Sequence, residues 1–315
     1  MAGRGPDLGR MFGARAGGGF MGLPQGDLDG FAGGVALIGA GACTSYASVG
    51  AYCMDGPAAI RAGGAAYAAS LGHENFDLGG PVLPAGARVT DLGDLPQVDG
   101  EGEANRARIR DAVAAVLARG GVPVLLGGDD SVPLPMLEAL TGREIWILQI
   151  DAHVDWRDAV EGERLGLSST MRRASELPHV RGIVQVGQRG IGSARPGDRK
   201  DAEDWGVTFV PARAVVRDGI ARALAAIPEG AEIAVCLDCD ALDPAIMPAV
   251  IGRTAGGLGY WDVVDLVAGA AARGRIVAFD MVEFMPARDI DGQGALTAAQ
   301  LLATVLGIVA RQGQA

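Results

Sequence analysis

Ile145-Trp146-Ile147-Leu148-Gln149-Ile150 runs straight into Asp151-Ala152-His153-Val154-Asp155, and that junction decides the fold. A short, mainly apolar run without strict alternation reads as a strand buried on both faces, and the polar cluster marks its end. The same junction recurs twice: residues 122–126 lead to Gly127-Gly128-Asp129-Asp130-Ser131, and residues 233–237 lead to Asp238-Cys239-Asp240-Ala241-Leu242-Asp243-Pro244. Residues 35–38, 88–91, 182–186, 207–210 and 276–281 also read as strands. Between them lie helical patterns. Residues 104–119 carry Ile109, Val113, Val116 and Leu117 at helical spacing and stop at Gly120-Gly121, a C-cap signal; residues 261–272 and 296–309 are similar. Strands separated by helices predict an α/β fold with a parallel sheet covered on both faces, whose ligands sit at the carboxyl ends of the strands.

Composition narrows the function. The chain has 315 residues, 49% hydrophobic and 21% charged, which suits a globular protein. Residues 1–33 read as a glycine-rich arm and residues 34–315 as a single catalytic domain. Asp+Glu 38 against Lys+Arg 27 leaves a net charge of -11, which disfavours nucleic acid and anionic membrane surfaces and suits a cationic small substrate. No secretory h-region and no uninterrupted membrane-length apolar window is evident, so a cytoplasmic location is expected. Cys236 lies inside an apolar strand-like run, pointing to a buried free thiol rather than a bridge to Cys239. Gly39-Ala40-Gly41 follows a strand, but Thr44 stands where a dinucleotide loop needs its third glycine.

The three polar clusters share one end of their strands, so a parallel sheet brings them together. Carboxylates packed this closely repel one another, and divalent cations remove that conflict. In extended backbone Asp151, His153 and Asp155 share one side, as do Asp238 and Asp240. Five such ligands exceed the needs of one ion; two ions about 3.5–4 Å apart would activate water toward an electrophilic carbon. Oxygen donors with one imidazole favour manganese or a similarly hard ion. Glu283, after the strand 276–281, is placed to pair with a guanidinium through two parallel hydrogen bonds.

These motifs, with Asp91-Leu92-Gly93-Asp94 and Val282-Glu283, resemble the ureohydrolase family of arginases, agmatinases and guanidino-acid hydrolases over nearly the whole chain from about residue 20. The resemblance implies a three-layer αβα fold with an eight-stranded parallel sheet, two Mn2+ ions, urea release and assembly into trimers or hexamers. It casts Asp151 and Asp238 as ligands of both ions and as catalytic residues with Glu283. Asp155 would serve the first ion, His153 and Asp240 the second. Glu283, Asp243, Ser168 and Tyr46 would face substrate.

Two positions depart from the family pattern. Asp130 stands where Gly-Gly-Asp-His-Ser would supply a histidine, so the first ion is expected to be retained but held more weakly. Leu167, in the stretch 166–173, stands where a proton-shuttling histidine is usual. Residues 43–53 lack the family's frequent arginine, which favours an agmatine-like substrate unless Arg172 or Arg253 reaches the site. Guanidino acids, other amidines and a catalytically weak structural or regulatory role are the alternatives.

Overall fold

The computed structural model describes residues 7–14 and 18–312. Eight strands form one parallel sheet: β1 (Gly34–Ala40), β2 (Val89–Asp94), β3 (Gly121–Gly127), β4 (Ile145–Ile150), β5 (Val180–Val186), β6 (Thr208–Val210), β7 (Glu232–Asp238) and β8 (Arg275–Val282). Their spatial order is β2-β1-β3-β8-β7-β4-β5-β6, so the four central strands are β3, β8, β7 and β4. All eight strands expected from the sequence are present, shifted by at most three residues at an end.

Successive side chains along each strand point to opposite faces, and both faces are apolar. One face packs Leu37, Val124, Leu148, Val235 and Phe279 beneath Gly56–Gly64, Tyr260–Arg273 and Gln293–Gln312. The other packs Ile38, Leu125, Ile147, Ala234 and Ala278 beneath Gly102–Ala118, Pro133–Glu138 and Thr170–Ser175. The result is the three-layer αβα arrangement. Gln293–Gln312 is long and apolar enough to cross a membrane by length and composition, but 78% of its apolar window is buried inside the fold. Asp289 caps its start by accepting from the Gly294 and Ala295 amides at 2.8 and 3.0 Å.

Part of the expected glycine-rich arm, residues 1–6 and 15–17, lies outside the described residues. Within the described part, Phe20, Met21 and Leu23 are buried in the core, and the Phe20 amide donates to Asp91 Oδ2 at 2.7 Å. The four cysteines are free and buried, as the apolar setting of Cys236 predicts.

Candidate metal centre

The four central strands each deliver polar residues to one edge of the sheet. β3 leads to Asp130, β8 to Glu283, β7 ends in Asp238 and continues to Asp240, and β4 leads to Asp151, His153 and Asp155. Backbone contacts lock these tips together. The Glu283 amide donates to the Gly128 carbonyl at 2.7 Å, and Gly128 lies so close to the Gly41 carbonyl that any side chain would collide with it. Asp155 and Glu283 adopt φ of 44° and 64°, a left-handed conformation costing about 1–2 kcal/mol in a residue with a side chain. Such strain is concentrated where the surrounding structure over-determines a site.

Two triads emerge. Asp130, Asp151 and Asp238 form one; Asp151, His153 and Asp240 form the other; in each, the potential donor atoms lie within 4.8 Å of one another. Asp151 belongs to both. Neither triad includes Asp155, whose Oδ2 instead accepts from Gln149 Nε2 at 2.8 Å while that same nitrogen donates to Asp151 Oδ2 at 2.6 Å. Asp238 and Asp151 also brace their own turns, accepting from the Asp240 and His153 amides, each at 2.6 Å.

The electrostatics test whether cations fit. Burial, then Asp155 and Asp151, raises Asp130 well above the usual carboxylate range; burial, then Asp240 and Asp151, does the same for Asp238. Burial also raises Asp155 and Asp151. Burial alone would lower the His153 imidazole, but Asp151 and Asp240, whose oxygens lie 3.4 and 3.0 Å from Nδ1, push it up to about 12. Burial likewise opposes the charge on Asp240, but bonding to His153 and the Ala152 amide brings that carboxyl below its ordinary value. Asp130 Oδ2 is buried with no hydrogen-bond partner among the described residues. The repulsion among these carboxylates, the pull of Asp151 and Asp240 on the imidazole and the partnerless Asp130 oxygen fit a centre that holds cations. Oxygen donors, one imidazole and no thiolate make both triads suit hard divalent ions.

The residues expected on the substrate side divide. Glu283 lies at the centre, accepting from the Asp130 amide at 2.9 Å and from the Tyr52 hydroxyl. Tyr46 is buried, and its hydroxyl accepts from the Ser168 amide at 3.1 Å, which holds the 166–168 loop. Asp243 clamps its own loop: its carboxylate accepts from the amides of Ala245, Gly256 and Gly257 at 2.9–3.0 Å, and those bonds hold it below the ordinary range. A cavity of about 190 Å³ opens beside the centre, bounded by His153, Asp155, Arg157, Leu167, Ser168 and Asp198.

Sequence reasoning missed two contributors and the partner of a third. Tyr52, in the 43–53 segment, reaches Glu283 from a loop far away in the chain, and no local pattern announces that bond. Arg189 threads its guanidinium among the carbonyls of Asp240, Ala241, Leu242 and Thr254, pinning the loop after β7. Gln149 was visible as a polar residue inside an apolar strand.

The chain is similar to several known proteins. A rice protein (Oryza sativa subsp. indica) named arginase 1, mitochondrial, is 32% identical over 225 residues, 68% of this chain and 65% of its own length. A human protein named guanidino acid hydrolase, mitochondrial, is 30% identical over 232 residues, 69% of this chain and 63% of its own length. The matched stretch therefore spans a little under two thirds of these relatives. The crystal structure of a hypothetical agmatinase from Burkholderia thailandensis superposes with a TM-score of 0.78 at 25% identity, covering 100% of this chain and 98% of that one. The model of the Arginase family matches residues 34–307, and the chain belongs to that family.

Proposed function

We propose that this chain is a dinuclear-metal amidinohydrolase that converts a guanidino compound to urea and an amine. The observation that carries the proposal is Asp151, common to both triads at the carboxyl edge of the sheet. Asp151 and Asp238 would hold both ions, Asp130 and Asp155 the first, His153 and Asp240 the second. Bound there, two divalent ions, manganese by the donor set, supply Lewis-acid activation of water and neutralise developing charge.

The chain's own groups supply orientation. Glu283, aimed by Tyr52 and the Asp130 amide, receives the guanidinium and holds its carbon over the triads. Leu167 lines the cavity and has no proton to exchange, so the proton given up by the attacking water reaches the departing amine through another water or is relayed by Asp151 or Asp238. The test is urea release across a panel of guanidino compounds with added manganese. Turnover of none of them would sink the proposal, and Asp238→Ala is expected to abolish what turnover there is.

An agmatine-like substrate follows from the absence of a basic residue in 43–53. Arg157 favours a second reading, a guanidino acid. Arg172 is engaged with Asp158, Asp201 and the Trp156 carbonyl, and Arg253 with the Pro248 and Arg288 carbonyls, and neither lines the cavity. Arg157 lines the cavity and forms no ion pair with any described residue. Trimeric or hexameric assembly is part of the same proposal and is read by light scattering.

A further inference from the structure

β4 carries Gln149 in its interior, 1% exposed, and β5 sets Gln185, 0% exposed, in register beside it. A buried amide without partners costs about 1–3 kcal/mol, so two adjacent glutamines in a largely apolar sheet call for a physical reason. Their bonds supply it for every amide atom but Gln185 Oε1, which is buried with no partner among the described residues. Gln149 Nε2 donates to Asp151 Oδ2 at 2.6 Å and to Asp155 Oδ2 at 2.8 Å. Gln149 Oε1 accepts from Gln185 Nε2, which also donates to the Val154 carbonyl at 2.9 Å.

The second glutamine determines which way the first one faces. A solitary amide could present its oxygen to the aspartates, but the Gln185 donor occupies that oxygen and leaves the amino group facing the carboxylates. Each of its two protons then has one acceptor. Asp155 needs such a tether, because its left-handed backbone does not by itself aim the side chain and neither triad includes it. A neutral donor has a further property here. It fixes the two carboxylates without cancelling charge, whereas a lysine or arginine in its place would compete with the ions.

We infer that Gln149, oriented by Gln185, is a positioning residue of the metal centre: it sets the separation of the Asp151 and Asp155 carboxylates and thereby the affinity of the ion beside Asp155. The inference rests on the dinuclear reading above. Its test separates the two.

Metal-free protein is titrated with Mn2+ by calorimetry, and the loaded samples are compared by electron paramagnetic resonance. The set is wild type, Gln149→Met, which keeps similar volume without the donors, Gln149→His, which restores one N–H, and Gln185→Met. Loss of a bond that orients a metal ligand weakens metal binding about 10–100-fold. In Gln149→Met one Mn2+ is expected to weaken by that factor while the other stays near its wild-type affinity, and the spectrum of a coupled pair gives way to that of isolated ions. Gln149→His is expected to recover part of the loss, and Gln185→Met to lie between wild type and Gln149→Met. Should Gln149→Met fail to fold, Gln185→Met answers the question with Gln149 intact, and wild-type binding by it then overturns the inference. Two ions bound by folded Gln149→Met with wild-type affinity and spectrum also overturn it. Wild-type protein that binds no Mn2+ overturns the dinuclear reading instead.

Discussion

The Tyr52 hydroxyl donates to both carboxylate oxygens of Glu283, at 2.7 and 2.9 Å, across 231 positions of sequence. Burial, then Glu283, pushes the Tyr52 phenol far upward, so it remains a protonated donor at any working pH. With the Asp130 amide it leaves the carboxylate a single orientation toward the triads. A hydrogen bond to a charged group is worth about 1.5–3 kcal/mol. Tyr52→Phe is therefore expected to lower kcat/KM about 10–100-fold, chiefly by raising KM, with the fold unchanged by circular dichroism. Steady-state kinetics on the best substrate of the panel would check this, and an unchanged KM would remove Tyr52 from the binding of the guanidinium.

Asp130 carries the second prediction. Its buried Oδ2 has no partner among the described residues, and its charge adds to the repulsion around Asp238. Asp130→Ala is expected to lose one of two manganese ions, reducing the calorimetric stoichiometry from about two to about one. Asp130→His brings a longer, uncharged ligand and is expected to tighten the weaker site. Two equally tight sites in Asp130→Ala would show that Asp130 is not a ligand.

The fold was legible because nearly every strand lies in a two-sided apolar setting, so runs such as 145–150 and 233–237 stand out without alternation. The short helices Pro133–Glu138, Thr170–Ser175 and Ala212–Asp218 did not, since each buries a few residues against the sheet without developing a periodic stripe. The ligand clusters were legible because they directly follow strands. Their partners were not: Tyr52 and Arg189 act from loops whose local sequence carries no period, and the three backbone donors to Asp243 come from the fold of its loop. His179 is buried with Nε2 2.9 Å from the Leu137 carbonyl, a bond that holds its ring in place.

Arg157 decides between substrate tails. A charge-assisted hydrogen bond of about 1.5–3 kcal/mol corresponds to roughly 10–100-fold in kcat/KM. Arg157→Gln is expected to lose that factor on ω-guanidino carboxylic acids and to leave agmatine unchanged or improved, because the variant removes a like charge from the amine's path. Equal effects on both compound classes would mean that the Arg157 side chain supports the cavity wall without reading the tail. The wild-type preference, measured on the same panel, then falls back to agmatine.

Arg61 and Asp91 concern stability. Arg61 Nε and Nη2 donate to the two oxygens of Asp91, each at 2.9 Å, and Nη1 donates to Asp94 Oδ1 at 2.5 Å, so the helix Gly56–Gly64 and the 91–94 motif form one clamp. Burial would raise Asp91, but Arg61 and the amides of Phe20 and Gly93 bring it below the ordinary carboxylate value. A carboxyl lowered in the folded state binds fewer protons there than in the unfolded chain. Its contribution is therefore complete above the unfolded value of about 3.9 and is lost as pH falls through the folded value. Arg61→Met leaves a 2%-exposed carboxylate unpaired, which costs about 3–5 kcal/mol at neutral pH. Denaturant unfolding at pH 7 should show that deficit. It should shrink on acidification, first above about pH 4, where burial makes the carboxyl stranded by the substitution take up its proton early, and further below about pH 4, where the wild type loses the same clamp.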